Sequence, residues 1–96
     1  MKQTKIIATM GPASSNLEMM EKLIQAGVNV FRMNFSHGTH EFHAENIAKI
    51  RNTAAKLSMP VGIMGDLQGP KIRVSKFIDN QVTLENGATI TLDTAY

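Results

Sequence analysis

The sequence predicts an α/β protein in which strand, helix, strand, helix and strand follow one another and the strands run parallel. Three observations predict it. Short apolar runs rich in β-branched and aromatic residues recur at 5–10, from Val28 toward Ser36, and at 61–66. Between them, apolar residues return at intervals of three and four, which is a helical period. The runs and helices are punctuated by Gly11-Pro12, Gly27, Gly38 and Pro60, so neighbouring strands are joined through helices rather than tight hairpins and share one direction.

The first strand runs from Lys5 to Met10 and is closed by Gly11-Pro12, because proline restricts its own φ and the residue before it. Ser14, Ser15 and Asn16 then offer helix caps, and Ser15 with Glu18 forms a capping-box pattern. Leu17, Met20, Leu23 and Ile24 form the core stripe of the first helix, and Gly27 stops it. In the second strand Phe31, Met33 and Phe35 alternate with Arg32, Asn34 and Ser36, which share the other side if the chain stays extended that far. Thr39 caps a second helix running to about Ser58, with Ile47, Ile50, Ala54 and Leu57 on one face and Glu45–Lys49 as an i, i+4 pair. Pro60 ends that helix, and Val61 to Asp66 form the third strand.

From Ile72 onward the pattern changes to short alternations at 72–78, 81–84 and 89–92, punctuated by Asp79-Asn80 and Asn86-Gly87, the latter a hairpin signal. Three parallel strands cannot close a barrel. On the residues alone, the first part is either a small open sheet or the opening of an eight-stranded barrel.

The 96 residues carry 43% hydrophobic and 19% charged side chains and a net charge of +2, ordinary for a soluble globular protein. No basic stripe with interleaved aromatics is present, so nucleic acid is not an expected partner. No apolar run approaches membrane-spanning length, and no membrane partner is expected. The absence of cysteine excludes a disulfide framework and a thiolate zinc site. The polar opening Met1 to Lys5 is no secretory signal, and the expected compartment is the cytoplasm.

Arg32 inside an apolar run must have its charge answered, and Asp66 is the candidate partner in a structural ion pair. Asn34, Ser36 and His37 follow at strand and turn spacing, and together these side chains make a site suited to phosphate and hard ions at a strand's carboxyl end. His37, His40 and His43 are three apart, but Thr39 begins a helix among them and they are not expected to converge on zinc. The seven methionines read as core filler.

The stretch Phe31-Arg32-Met33-Asn34-Phe35-Ser36-His37-Gly38 resembles the Arg-x-Asn-Phe-Ser-His-Gly signature of pyruvate kinases. Residues 4–13 resemble that family's first strand and Gly-Pro turn, and Gly65-Asp66-Leu67-Gln68-Gly69-Pro70-Lys71-Ile72-Arg73 resembles the end of its third strand. The resemblance runs from residue 4 to the end of the chain. It implies that residues 1–69 open a (β/α)8 TIM barrel and that residues 70–96 begin a small inserted β-barrel domain.

The resemblance also implies roles. Arg32 matches the arginine that contacts the phosphate of phosphoenolpyruvate, where a planar fork suits bidentate binding and stabilises the transferring group. Asn34, His37 and Arg73 match positions associated with ADP and ATP. Asn34, Ser36, Asp66 and the Leu67 carbonyl match the family's potassium ligands. Lys71 stands where potassium-requiring members carry glutamate, and the members with lysine tend not to need the ion, so potassium is expected to be dispensable. Magnesium and a catalytic lysine would come from later strands that this chain does not contain, so the chain alone is expected to be inactive. The intact protein would be a homotetramer. Two alternatives are another barrel enzyme using phosphoenolpyruvate or pyruvate, and a non-catalytic ligand-binding domain complete at 96 residues.

Overall fold

The computed structural model describes residues 3–94. Its elements are β1 (Ile7–Thr9), α1 (Leu17–Ala26), β2 (Val30–Asn34), α2 (His40–Leu57) and β3 (Gly62–Asp66). The strands form one sheet in the order β1-β2-β3, parallel throughout. The alternating elements read from the sequence are therefore present, in the expected order and with shorter strands.

The core lies on one face of this sheet. Phe31 and Met33 of β2 pack with Met20 and Ile24 of α1 and with Ile50 of α2, all buried. Both helices thus cover the same side, and α1 packs on α2. The other face carries Ile7, Arg32, Asn34 and Met64, and Ile7 and Met64 are exposed. A doubly wound sheet covers both faces with helices, whereas a β/α barrel keeps its helices outside and turns the other face inward. The one-sided cover of three sequential strands is consistent with the opening of a barrel. No helix among the described residues is long and apolar enough to cross a membrane.

Of the three residues offered as caps of α1 one is used, and other local details depart from the sequence reading. The cap of α1 is Asn16, whose Oδ1 accepts from the Met19 amide at 2.7 Å. Ser15 is not the cap, because its hydroxyl donates to the Gly11 carbonyl while the Ser14 Oγ accepts from the Gly11 amide at 2.9 Å. The two serines close the turn, and Glu18 pairs with Lys22 at 2.8 Å rather than serving a capping box. Leu17, first on the predicted stripe, is 57% exposed because the helix has only begun there.

Lys49 does not pair with Glu45. Its ammonium donates to the Ser15 carbonyl at 3.2 Å, while Lys56 bridges to Glu21 of α1 at 3.0 Å. Gly27, with φ of 114°, and Thr39, whose hydroxyl accepts from the Phe42 amide at 3.1 Å, do end and begin helices as read.

After Asp66 the described residues contain no strand. One 3₁₀ turn spans Ile78–Asn80, and a turn at 86–87 uses the positive φ of Gly87 (81°). Ile72, Ile78 and Leu92 are exposed. The radius of gyration is 18.7 Å, against roughly 12.5 Å for a compact chain of this length. The alternating pattern at 72–92 is present in the sequence, but without a covering layer its short runs bury too little to hold a ladder.

Candidate functional site

Parallel pairing brings the carboxyl ends of the three strands to one rim. Thr9 is the register partner of Arg32, and Asn34 is the partner of Asp66. Partners on neighbouring parallel strands point to the same face, about 4.8 Å apart. Arg32 therefore projects from the uncovered face between a hydroxyl on one side and a carboxylate on the other.

Both are used. The Arg32 Nε donates to Asp66 Oδ2 at 3.0 Å, and Nη2 donates to the same oxygen. Nη1 donates to Thr9 Oγ1 at 3.1 Å. The ion pair that the sequence offered as a structural role is formed. A guanidinium has five N–H donors, and these three bonds leave one on each terminal nitrogen. Those two remain to meet an anion, so the structural pair and a phosphate-binding role are compatible.

Past Asn34 the strand ends and a turn begins, which corrects the extension of the strand to Ser36. Asn34 itself makes the turn: its Oδ1 accepts from the Ser36 amide at 3.1 Å and its carbonyl from the His37 amide at 3.2 Å. The Phe35 amide adds one more bond to β3 through the Asp66 carbonyl at 3.0 Å. The Phe35 ring lies over Gly65, where a Cβ would come within 2.9 Å of the ring. Gly38 closes the turn with φ of 79°.

Ser36 and His37 then line an open hollow of about 460 Å³ together with Gln68, Gly69, Lys71 and Arg73. Two cations, a hydroxyl and an imidazole converge there with no carboxylate among these lining residues. Such a surface favours an anion bearing several oxygens.

The candidate residues thus fall into two adjoining groups. Arg32, Asn34 and Asp66 meet on the rim, while Ser36, His37, Lys71 and Arg73 line the hollow, and the turn bonded to Asn34 joins the two. Leu67 leaves its side chain in solvent, so only its backbone remains for the rim. Asn34, Ser36 and Asp66 offer an amide, a hydroxyl and a carboxylate oxygen, a hard donor set that fits an alkali or alkaline-earth cation. Among the described residues no group of three His, Cys, Asp or Glu side chains is placed to hold a metal ion.

Sequence reasoning missed Thr9, Gln68 and His43. Thr9 had a usable signal, since it ends a parallel strand next to the one that carries Arg32. Gln68, inside the family stretch, and His43, one of three spaced histidines, carried no signal of the contacts with residues 36–37 that they make in space.

Comparison with known proteins gives the family. The sequence profile described as "Pyruvate kinase, barrel domain" matches residues 1–96. Pyruvate kinase 2 of Synechocystis sp. is 53% identical over 93 residues, a match covering 95% of this chain and 16% of that protein. The pyruvate kinase of Haemophilus influenzae is 50% identical over 93 residues, covering 97% of this chain and 20% of that protein. That of Thermococcus litoralis is 51% identical over 92 residues, covering 96% and 19%. The chain spans 16–20% of the length of these three relatives. The chain belongs to the pyruvate kinase family.

Proposed function

We propose that the protein carrying this chain transfers the phosphoryl group of phosphoenolpyruvate to ADP, giving pyruvate and ATP. The single observation that carries this reading is the state of Arg32. It is held by Asp66 and Thr9 with two N–H groups left over, and the turn that follows its strand leads into a hollow lined by Ser36, His37, Lys71 and Arg73. Those two N–H groups would bind the phosphate of phosphoenolpyruvate and stabilise charge on it during transfer. Arg73, His37 and Asn34 would hold the nucleotide on the hollow side.

Residues 1–69 would be the opening of the barrel, and residues 70–96 the start of an inserted β domain whose strands form once the rest of that domain is present to pair with them. The alternation at 72–92 supports this. Magnesium, held by residues outside this chain, would supply charge neutralisation on the phosphates when bound. Asn34, Ser36, Asp66 and the Leu67 carbonyl would form a potassium-type site whose charge Lys71 supplies instead. The intact protein is proposed to be a cytoplasmic homotetramer.

The test is pyruvate formation by the full-length protein with phosphoenolpyruvate, ADP and magnesium. Pyruvate that appears only when ADP is present supports the reading. Consumption of phosphoenolpyruvate without ATP formation would overturn it in favour of another barrel enzyme using the same substrate.

A further inference from the structure

His43 lies in the first turns of α2 and is 5% exposed, yet nothing in the chemistry above uses it. Its Nε2 is 2.6 Å from the His37 carbonyl oxygen. A carbonyl only accepts, so Nε2 is the protonated nitrogen and donates. Nδ1 is also buried and has no hydrogen-bond partner among the described residues, which makes the bond to His37 the ring's single polar anchor.

The ring is also wedged in place. Phe35 lies against it at a 48° tilt with 4.6 Å between centroids, and Phe42 meets it in a T-shaped contact at 5.4 Å. Gly38 passes so close that a Cβ there would come within 2.9 Å of Phe42 and 3.2 Å of His43 Nε2. Thus the turn at 35–38 is fastened at its start by Asn34 and Phe35, and at its far side by His43 of the following helix. Ser36 and His37, the turn's contribution to the cationic hollow, sit between those two fastenings. Arg32 is held separately, by Thr9 and Asp66.

We propose that His43 is a positioning residue for the nucleotide side of the site: its Nε2–H, by holding the His37 carbonyl, sets where Ser36 and His37 present themselves to the phosphates of ADP. This rests on the phosphotransfer reading of the same rim. Because Arg32 has its own supports, loosening the turn disturbs the hollow and leaves the phosphoenolpyruvate contact in place.

The test compares His43→Leu and His43→Gln in the full-length enzyme. Leucine keeps apolar bulk and removes the donor, whereas the glutamine amide nitrogen lies the same number of bonds from Cα as Nε2 and can donate. Expected are a roughly tenfold higher KM for ADP in His43→Leu, since misplacement of a binding group by a fraction of an ångström is felt at this scale, with KM for phosphoenolpyruvate unchanged. His43→Gln should recover most of the loss. Equal behaviour of the two variants, or parallel increases in both KM values, would overturn the proposal and leave His43 as a packing residue. If the unsubstituted enzyme makes no pyruvate, the phosphotransfer reading fails instead. Independently of activity, a long-range ¹H–¹⁵N spectrum of the histidine-labelled protein should show one exchange-protected Nε2–H that disappears in His43→Gln. A proton on Nδ1 alone would overturn the bond itself, also where His43→Leu does not fold.

Discussion

Arg32 and Asp66 stand on neighbouring parallel strands, and a single oxygen of the Asp66 carboxylate accepts from both Nε and Nη2 of the arginine. The pair is partly open to solvent, with side-chain exposures of 29% and 46%. An ion pair this wet contributes about 1 kcal/mol or less to folding. Its larger consequence is direction: the guanidinium plane is set by Asp66 on one edge and Thr9 on another.

Arg32→Lys should therefore cost activity far more than stability. Lysine keeps the charge but has no planar fork to divide between Asp66 and a phosphate. The expected loss in kcat is on the order of 10²–10³-fold, with folding weakened by no more than about 1 kcal/mol. Steady-state kinetics beside a denaturant melt of the full-length enzyme decides this. Comparable losses in both would assign the arginine to structure.

Gly65→Ala should destabilise the sheet. Alanine in place of glycine in a strand gains about 0.5–1 kcal/mol of backbone entropy. Here the added Cβ would approach Phe35 Cε2 to 2.9 Å, and that ring also lies against His43 at 4.6 Å between centroids. Overpacking of this kind costs about 1–3 kcal/mol, so the net sign is unfavourable. Thermal melting of the two proteins checks it, and an unchanged or raised Tm would show that the Phe35 ring gives way.

Lys71→Glu should create a requirement for potassium. Lys71 lines the hollow with Ser36, whose hydroxyl is one of the oxygens that would hold the ion. Two unit cations at about 4 Å repel by roughly 4 kcal/mol at an effective dielectric of about 20, so ammonium and potassium compete for one place. The expected result is full activity of the unsubstituted enzyme in tetramethylammonium buffer, and activity of the variant only after potassium is added. An unsubstituted enzyme that is silent without potassium contradicts this.

The 96-residue chain expressed alone should not give a sharp cooperative melt. One face of its sheet carries exposed Ile7 and Met64, both outer strands are unpaired along one side, and the segment after Asp66 is exposed throughout its described length. Unpaired strand edges and bare apolar faces lead to aggregation or swapping. Calorimetry with light scattering would show a broad or irreversible transition. A reversible two-state melt of the monomer would show that the single covered face suffices.

The sequence by itself determined which elements form and which way their side chains alternate. Phe31 and Met33 against Arg32 and Asn34, Gly27 as a helix stop and Thr39 as a cap are all consequences of chemistry within a few residues of chain. The family signature likewise lies in short contiguous stretches. Tertiary structure alone decided what those residues touch. Lys49 reaches Ser15 rather than Glu45, Thr9 closes on Arg32 from the first strand, and His43 holds His37 from the next helix. It also decided that the alternating pattern after Ile72 forms no ladder in this chain. The physical reason is the same in each case. Periodicity and capping are satisfied locally, whereas a hydrogen-bond partner is chosen among all groups that folding brings within about 3 Å, most of them distant in sequence.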